Sequence, residues 1–402
     1  MKYSFLFFIL FLSNWIFSQT VNQTKLAELI TKARTTKSDG LVIIQNDKVL
    51  IDESFGTPVT PTYIASVGKA LVSIAIVKLL NDGKITSIDQ PISDFYPEWK
   101  QGQKRFITLR MILSHTSGMQ NEKNTRLEIE TGSQGSGDDL VKLALAAEIT
   151  SRPGTAYEYN NKAICLLPGI IETASGMRMD KFFEETFFKP MEIKNFEWTR
   201  DGTGRPQGHA GFRLLARDLA KFGQLMASGG VYKGKRFFEQ RWVDSSIASS
   251  QVVNPQIGLA WHRYSGRDSV IYFYVDSAQL EFFRNHGMTD SIINQLKPII
   301  NEPFSNPDQF SARMKNIFGA NWKQIMASAT KSFPNGERDF WKAKKIEGEL
   351  KGYYHSGSWG NYLVIVPELK LVAVRVVKRD EEYNRDTDLF GEFVSRAFEL
   401  TR

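Results

Sequence analysis

The sequence predicts an α+β fold: one central antiparallel sheet built from both chain ends, flanked by helices, with a mainly helical second lobe between them. Three observations predict it. Strand-like runs with turn signals lie at 40–53, strand-like runs return at 353–377, and the stretch between carries apolar residues at helical spacing. In order, 26–33 reads as a short amphipathic helix. Residues 40–45 and 49–53 read as a hairpin closed through Asn46, Asp47 and Lys48. The apolar run 70–80 reads as a helix stopped by Asn81-Asp82-Gly83. Helices are expected from Ile107 onward and at 138–149, 182–188 and 216–226, with a flexible loop at 132–137. A second hairpin is expected from 257–263 and 269–275. Strands are expected at 353–366 and 371–377 and a last helix at 388–400.

With 402 residues, 42% of them hydrophobic, the chain can bury a large core. Lys2, a short apolar run and Ser18 give residues 1–18 the form of a secretory signal peptide, with the working domain at 19–402. The apolar run falls short of the roughly twenty residues a membrane span needs, so no stable span is expected after cleavage. Cys165 is the only cysteine, which excludes an intrachain disulfide and a lipid-modified cysteine at the cleavage site. A periplasmic or secreted bacterial protein that is not a lipoprotein fits this usage. The net charge of +7 is scattered, and nothing in its pattern points to nucleic acid.

The candidate chemistry starts at Ser66-Val67-Gly68-Lys69. Residues three apart share a helical face, and a helix start offers unpaired N–H groups and partial positive charge. A serine there becomes a nucleophile if a neighbouring amine takes its proton. The pattern alone is weak, because Ser328 and Lys331 repeat it within a helical stretch that lacks a tyrosine partner. Tyr159-Asn160-Asn161 supplies a partner for Ser66. Free phenols and amines both titrate near about pH 10, and placed together each can lower the other or relay its proton. Asn161 is a candidate donor to a substrate carbonyl. In His355-Ser356-Gly357-Ser358, Gly357 allows close approach of a substrate, and the Ser358 and Ser66 N–H groups are a candidate oxyanion hole. No G-x-S-x-G elbow is present. His209, His262 and His286 show no metal-ligand spacing, and His115 reads as structural.

Here the chain resembles the serine β-lactamase and penicillin-binding-protein family, in the branch of class C β-lactamases, D-alanyl-D-alanine carboxypeptidases and related esterases. The resemblance rests on an ordered set of blocks: Tyr63-Ile64-Ala65-Ser66-Val67-Gly68-Lys69, the segment from Ile107 through Ser114-His115-Thr116-Ser117-Gly118-Met119, and Pro153-Gly154-Thr155. It continues in Tyr159-Asn160-Asn161, Ile170 to Gly176, Ala216 to Gly223, and His355-Ser356-Gly357. It implies a β-lactamase/transpeptidase-like fold, with Ser66 acylated, Lys69 accepting its proton, Tyr159 shuttling protons and Asn161 and His355 on the substrate side. No metal or organic cofactor is implied. His355 stands where the family's K-T-G version has lysine, which weakens a specifically β-lactam substrate because histidine offers that charge only when protonated.

The expected activity is hydrolysis of an ester or amide in a small-molecule or peptide-like substrate through an acyl-enzyme on Ser66. A D-alanyl-D-alanine carboxypeptidase or β-lactamase is the nearest alternative, and a non-catalytic envelope binding protein of the same fold a further one. The helical lobe is expected at about 80–200. A long, mainly helical insertion at about 276–340 departs from the family; it is read as an added layer with its own small core or as a roof over the cleft.

Overall fold

Asn46 and Asp47 both adopt positive φ, 47° and 62°, and form the two-residue turn that joins β1 (Gly40–Gln45) to β2 (Lys48–Ser54). In this computed structural model the described residues are 21–55, 59–120, 138–251, 253–265, 270–302, 304, 307–334, 339–346, 349–378 and 383–400. The expected signal peptide and the expected loop at 132–137 lie outside them. Four more strands complete the main sheet: β3 (His262–Tyr264), β4 (Gly352–Gly357), β5 (Asn361–Val366) and β6 (Leu371–Val376). Their spatial order is β2-β1-β6-β5-β4-β3, with every neighbouring pair antiparallel. Both chain ends therefore meet at the sheet's centre, where Gly40 faces Val376 and Gln45 faces Leu371.

Strands β1, β5 and β6 are buried along their whole length because both sheet faces are covered. Leu41, Ile43, Val364 and Ala373 point to one core, shared with α1 (Gln23–Thr35) and the C-terminal helix Phe393–Glu399. Val42, Ile44, Leu363 and Val374 point to the other, larger core. That core holds α2 (Gly68–Asn81), whose unbroken apolar run is buried on nearly every side, as expected of a helix without a polar face. It extends into the short helices Leu140–Ala146, Leu167–Ser175 and Met179–Phe183. Helix α3 (Ala216–Ala227) lies on the sheet so closely that a Cβ on Gly223 would come within 2.4 Å of a Val372 methyl.

Several sequence expectations are corrected. The hairpin from 257–263 and 269–275 does not form. Strand β3 closes the sheet edge against β4, whereas Val270–Tyr274 pairs with Lys342–Ile346. A period-two pattern marks a strand without naming its partner. The expected strand 353–366 is broken by Trp359 and Gly360, at φ 68° and 88°, so it becomes the β4–β5 hairpin. Within the expected helical insertion, Pro307–Phe318 and Trp322–Ala329 are separate helices, parted at Gly319, φ 76°. The last helix is likewise interrupted at Phe390, φ 48°, between Arg385–Asp388 and Phe393–Glu399. The segment between β3 and β4 has a core of its own, where Val275, Phe283, Leu296, Met326 and Phe340 meet.

Candidate active site

Ala65 carries φ 49°, a left-handed conformation that costs a non-glycine residue about 1 kcal/mol or more. It turns the chain sharply from strand Thr62–Tyr63 into the 3-10 turn Ala65–Val67, which runs directly into α2. Ser66 is thereby presented at a helix start, one turn before Lys69. The lysine is fully buried, and its Nζ donates to Ser66 Oγ at 2.9 Å and to the His209 carbonyl at 2.8 Å. Both partners are neutral.

Tyr159 reaches the same oxygen from the other side, its hydroxyl donating to Ser66 Oγ at 2.9 Å. Its ring lies 4.9 Å from Lys69 Nζ and packs against His115 at 4.5 Å. The next residue fixes this placement. Asn160 caps the helix Asn161–Ile164 by accepting from Ala163 N–H, donates its amide to the Met119 carbonyl, and gives its backbone N–H to His115 Nδ1. His115, buried at φ 58°, also accepts Glu158 N–H at its carbonyl. It orients Tyr159 and stays neutral, since burial and then Lys69 hold its pKa at about 3.

Ser66 and Tyr159 open onto a cavity of about 960 Å³. Gly357 and Ser358, at the end of β4, form the facing wall. Tyr264, Tyr354, Trp359, Tyr362 and Tyr383 make it largely aromatic, and Arg385 stands at its exposed rim. A hydroxyl, an amine and a phenol thus meet beside a narrow backbone wall.

The family model described as Beta-lactamase matches residues 26–392. The chain belongs to the beta-lactamase family. Among curated relatives it is 25% identical over 228 residues to "Putative penicillin-binding protein PbpX" of Bacillus subtilis (strain 168), covering 52% of this chain and 56% of that one. It is 24% identical over 187 residues to Protein flp of Staphylococcus aureus (strain MRSA252), covering 43% of this chain and 37% of the relative. The chain thus spans little more than half of the first and about a third of the second. Among solved structures, the chain described as a putative beta-lactamase from Bacteroides dorei DSM 17855 superposes with TM-score 0.63 at 17% identity, covering 95% of this chain and all of that one. EstCE1, a hydrolase with promiscuous acyltransferase activity, superposes with TM-score 0.58 at 14% identity, covering 94% and 98%. These likenesses are of fold.

In this beta-lactamase-family chain the structure gathers Ser66, Lys69, Tyr159, Gly357 and Ser358 around one point. The other two expected residues do not line the cavity. His355 is buried behind the wall, its Nδ1–H donating to the Ser356 carbonyl at 2.9 Å. Burial, reinforced by His262 and Lys69, holds its pKa well below the ordinary histidine value. Asn161 starts its helix with Oδ1 buried and unpartnered among the described residues. Among the described residues, none of the insertion lines the cavity, and 383–395 supply part of its wall. Ser328 lies instead beside a separate groove of the insertion with no tyrosine near it. Sequence reasoning missed Asn160, the His209 carbonyl, Trp359 and the 383–395 wall; only Asn160, a good N-cap residue before a helix, carried a local signal.

Gly357 has no room for a side chain. A Cβ there would lie 2.6 Å from the Ile64 carbonyl and 3.2 Å from Ser66 N. Gly357→Ala is expected to push β4 away from the nucleophile and slow Ser66 labelling by a fluorophosphonate about a hundredfold, since misplacement near 1 Å carries such a cost. Labelling at the native rate would show that the wall is not part of the reaction geometry.

Proposed function

We propose that this protein is an exported serine hydrolase that cleaves an ester or amide through an acyl-enzyme on Ser66. The observation that carries the reading is the convergence of Lys69 Nζ and Tyr159 OH on Ser66 Oγ, each at 2.9 Å, at the mouth of the cavity. In the first step Ser66 Oγ bonds to the substrate carbonyl carbon while its proton passes to the Lys69–Tyr159 pair. The carbonyl oxygen's charge is met by the N–H groups of Ser66 and Ser358. Tyr159 returns a proton to the departing alcohol or amine, and the same pair then activates the water that releases the acyl group. Export follows from the form of residues 1–18.

His355 bears on the substrate class. Neutral and buried, it places no positive charge where the family's lysine would help hold a carboxylate, which favours an esterase or amidase. One observation favours the second reading, a carboxypeptidase or β-lactamase: Arg385 is the only formally charged side chain lining the cavity among the described residues. The test is to incubate the mature protein with a fluorophosphonate and, separately, a labelled penicillin, and to map adducts by mass spectrometry against Ser66→Ala. Fluorophosphonate labelling confined to Ser66 is expected. Penicillin labelling as well would move the assignment to the second reading, and folded protein with no adduct at Ser66 would sink the hydrolase.

A further inference from the structure

Arg375 sits on the central strand β6 with no exposed surface. A buried cation needs partners for every N–H it carries, and an ion pair is the usual source. Its described partners here are backbone carbonyls and hydroxyls from three separate segments. Nε donates to Ser38 Oγ at 2.7 Å, and Nη2 donates to the Asp388 carbonyl at 2.7 Å and the Thr36 carbonyl at 3.3 Å. Nη1 donates to the Gly360 carbonyl at 2.8 Å and to the Leu389 carbonyl at 3.3 Å. The guanidinium also lies 5.5 Å from the Phe390 ring centre. Burial pushes its pKa down to about 10, which leaves it cationic at neutral pH.

Two of those segments are the cavity wall. Gly360 ends the turn that holds Ser358 and Trp359, and Leu389 belongs to the C-terminal stretch facing it. The turn's backbone is left-handed at Trp359 and Gly360, so local sequence alone does not hold it. The absence of a side chain at Gly360 is what admits the guanidinium, since a Cβ would stand 2.2 Å from Nη1. Asn361 secures the other side of the turn, donating to the Ser358 carbonyl at 2.8 Å and accepting Val377 N–H at 2.9 Å.

We infer that Arg375 is a positioning residue: its fork of donors fixes the Ser358–Gly360 turn, and through it the Ser358 N–H, against the 385–391 wall at the distance the reaction requires. Lysine cannot substitute, because one ammonium cannot span acceptors on three segments, whereas the planar guanidinium presents five N–H groups. The inference rests on the acyl-enzyme reading above, and its test separates the two.

Fluorophosphonate labelling of Ser66 in the unaltered protein checks that reading first. Arg375→Lys is then expected to slow the labelling rate and lower kcat for p-nitrophenyl acetate about tenfold, with KM within about twofold, as follows from a displaced oxyanion donor. Val374→Ala, a core truncation next to it on the same strand, controls for lost stability: its Tm should fall while kcat is kept. If Arg375→Lys does not fold, Ser38→Ala removes one guanidinium acceptor that does not line the cavity and is expected to lower kcat about two- to threefold at unchanged KM. The inference is overturned if the unaltered protein labels and the folded Arg375→Lys protein, or Ser38→Ala in its place, reacts at the native rate. No labelling of the unaltered protein overturns the acyl-enzyme reading, and this inference with it.

Discussion

Lys69→Met is expected to lower the rate of Ser66 acylation by about three orders of magnitude while leaving the thermal midpoint unchanged or slightly raised. The catalytic half of this follows from geometry. Lys69 Nζ and Tyr159 OH are the two proton-handling groups within hydrogen-bond reach of Ser66 Oγ, and the lysine also lies against the Tyr159 ring. Methionine fills a similar volume without a donor or a base. The stability half follows from burial: a fully buried amine whose partners are a hydroxyl and a carbonyl bears a desolvation cost that methionine removes, offset by the unpaired His209 carbonyl. Tyr159→Phe should lose a comparable factor. The double variant should be little worse than either single one, because residues acting as a unit are not additive. Stopped-flow acylation with p-nitrophenyl acetate and a thermal melt decide it. A Lys69→Met rate within tenfold of the native one would remove the lysine from the mechanism.

The second large effect is on stability. His115, His209 and His355 are each almost wholly inaccessible, and burial, with Lys69 nearby, lowers all three pKa values, to about 3 for His115 and His209. Unfolded histidines titrate near about pH 6.5. Above that pH both states are neutral at these positions and stability is flat. Below it the unfolded chain binds protons that the folded chain refuses, so stability falls as pH drops, until the folded values are reached. Each such histidine gives a slope of up to about 1.4 kcal/mol per pH unit. Three together remove about 6 kcal/mol by pH 5, a large share of a typical reserve of roughly 5–15 kcal/mol. Urea unfolding at pH 7.5 and 5.5 should show a loss of several kcal/mol, and His209→Gln should flatten the slope. Equal stability at the two pH values would mean that these rings are solvated in the folded protein.

The reach of sequence reasoning follows the range of the interactions involved. The buried strands β1, β5 and β6 and the apolar helix α2 are specified by local runs of residues, so they were legible. So were Ser66, Lys69 and Tyr159, whose order along the chain carries the family resemblance. Strand partnership was legible for the β1–β2 hairpin but not for the insertion. Val270–Tyr274 finds Lys342–Ile346 only after the insertion has folded back on itself, and nothing within either segment encodes that. The cavity wall at 383–395 was equally hidden, because it is placed by the positive-φ break at Phe390 and by contacts to β6. His355 was found as a motif residue, yet its burial, which decides its charge, depends on neighbours far away in sequence.

The pairing of Gly40 with Val376 has a temporal consequence. Such a sheet has high contact order: its central ladder cannot zip until nearly the whole polypeptide has emerged. During vectorial synthesis, the serine-bearing helix start leads and the turn carrying Ser358 trails far behind. The two walls of the candidate site thus meet only when the last strands close the sheet, as a final, all-at-once event rather than by degrees.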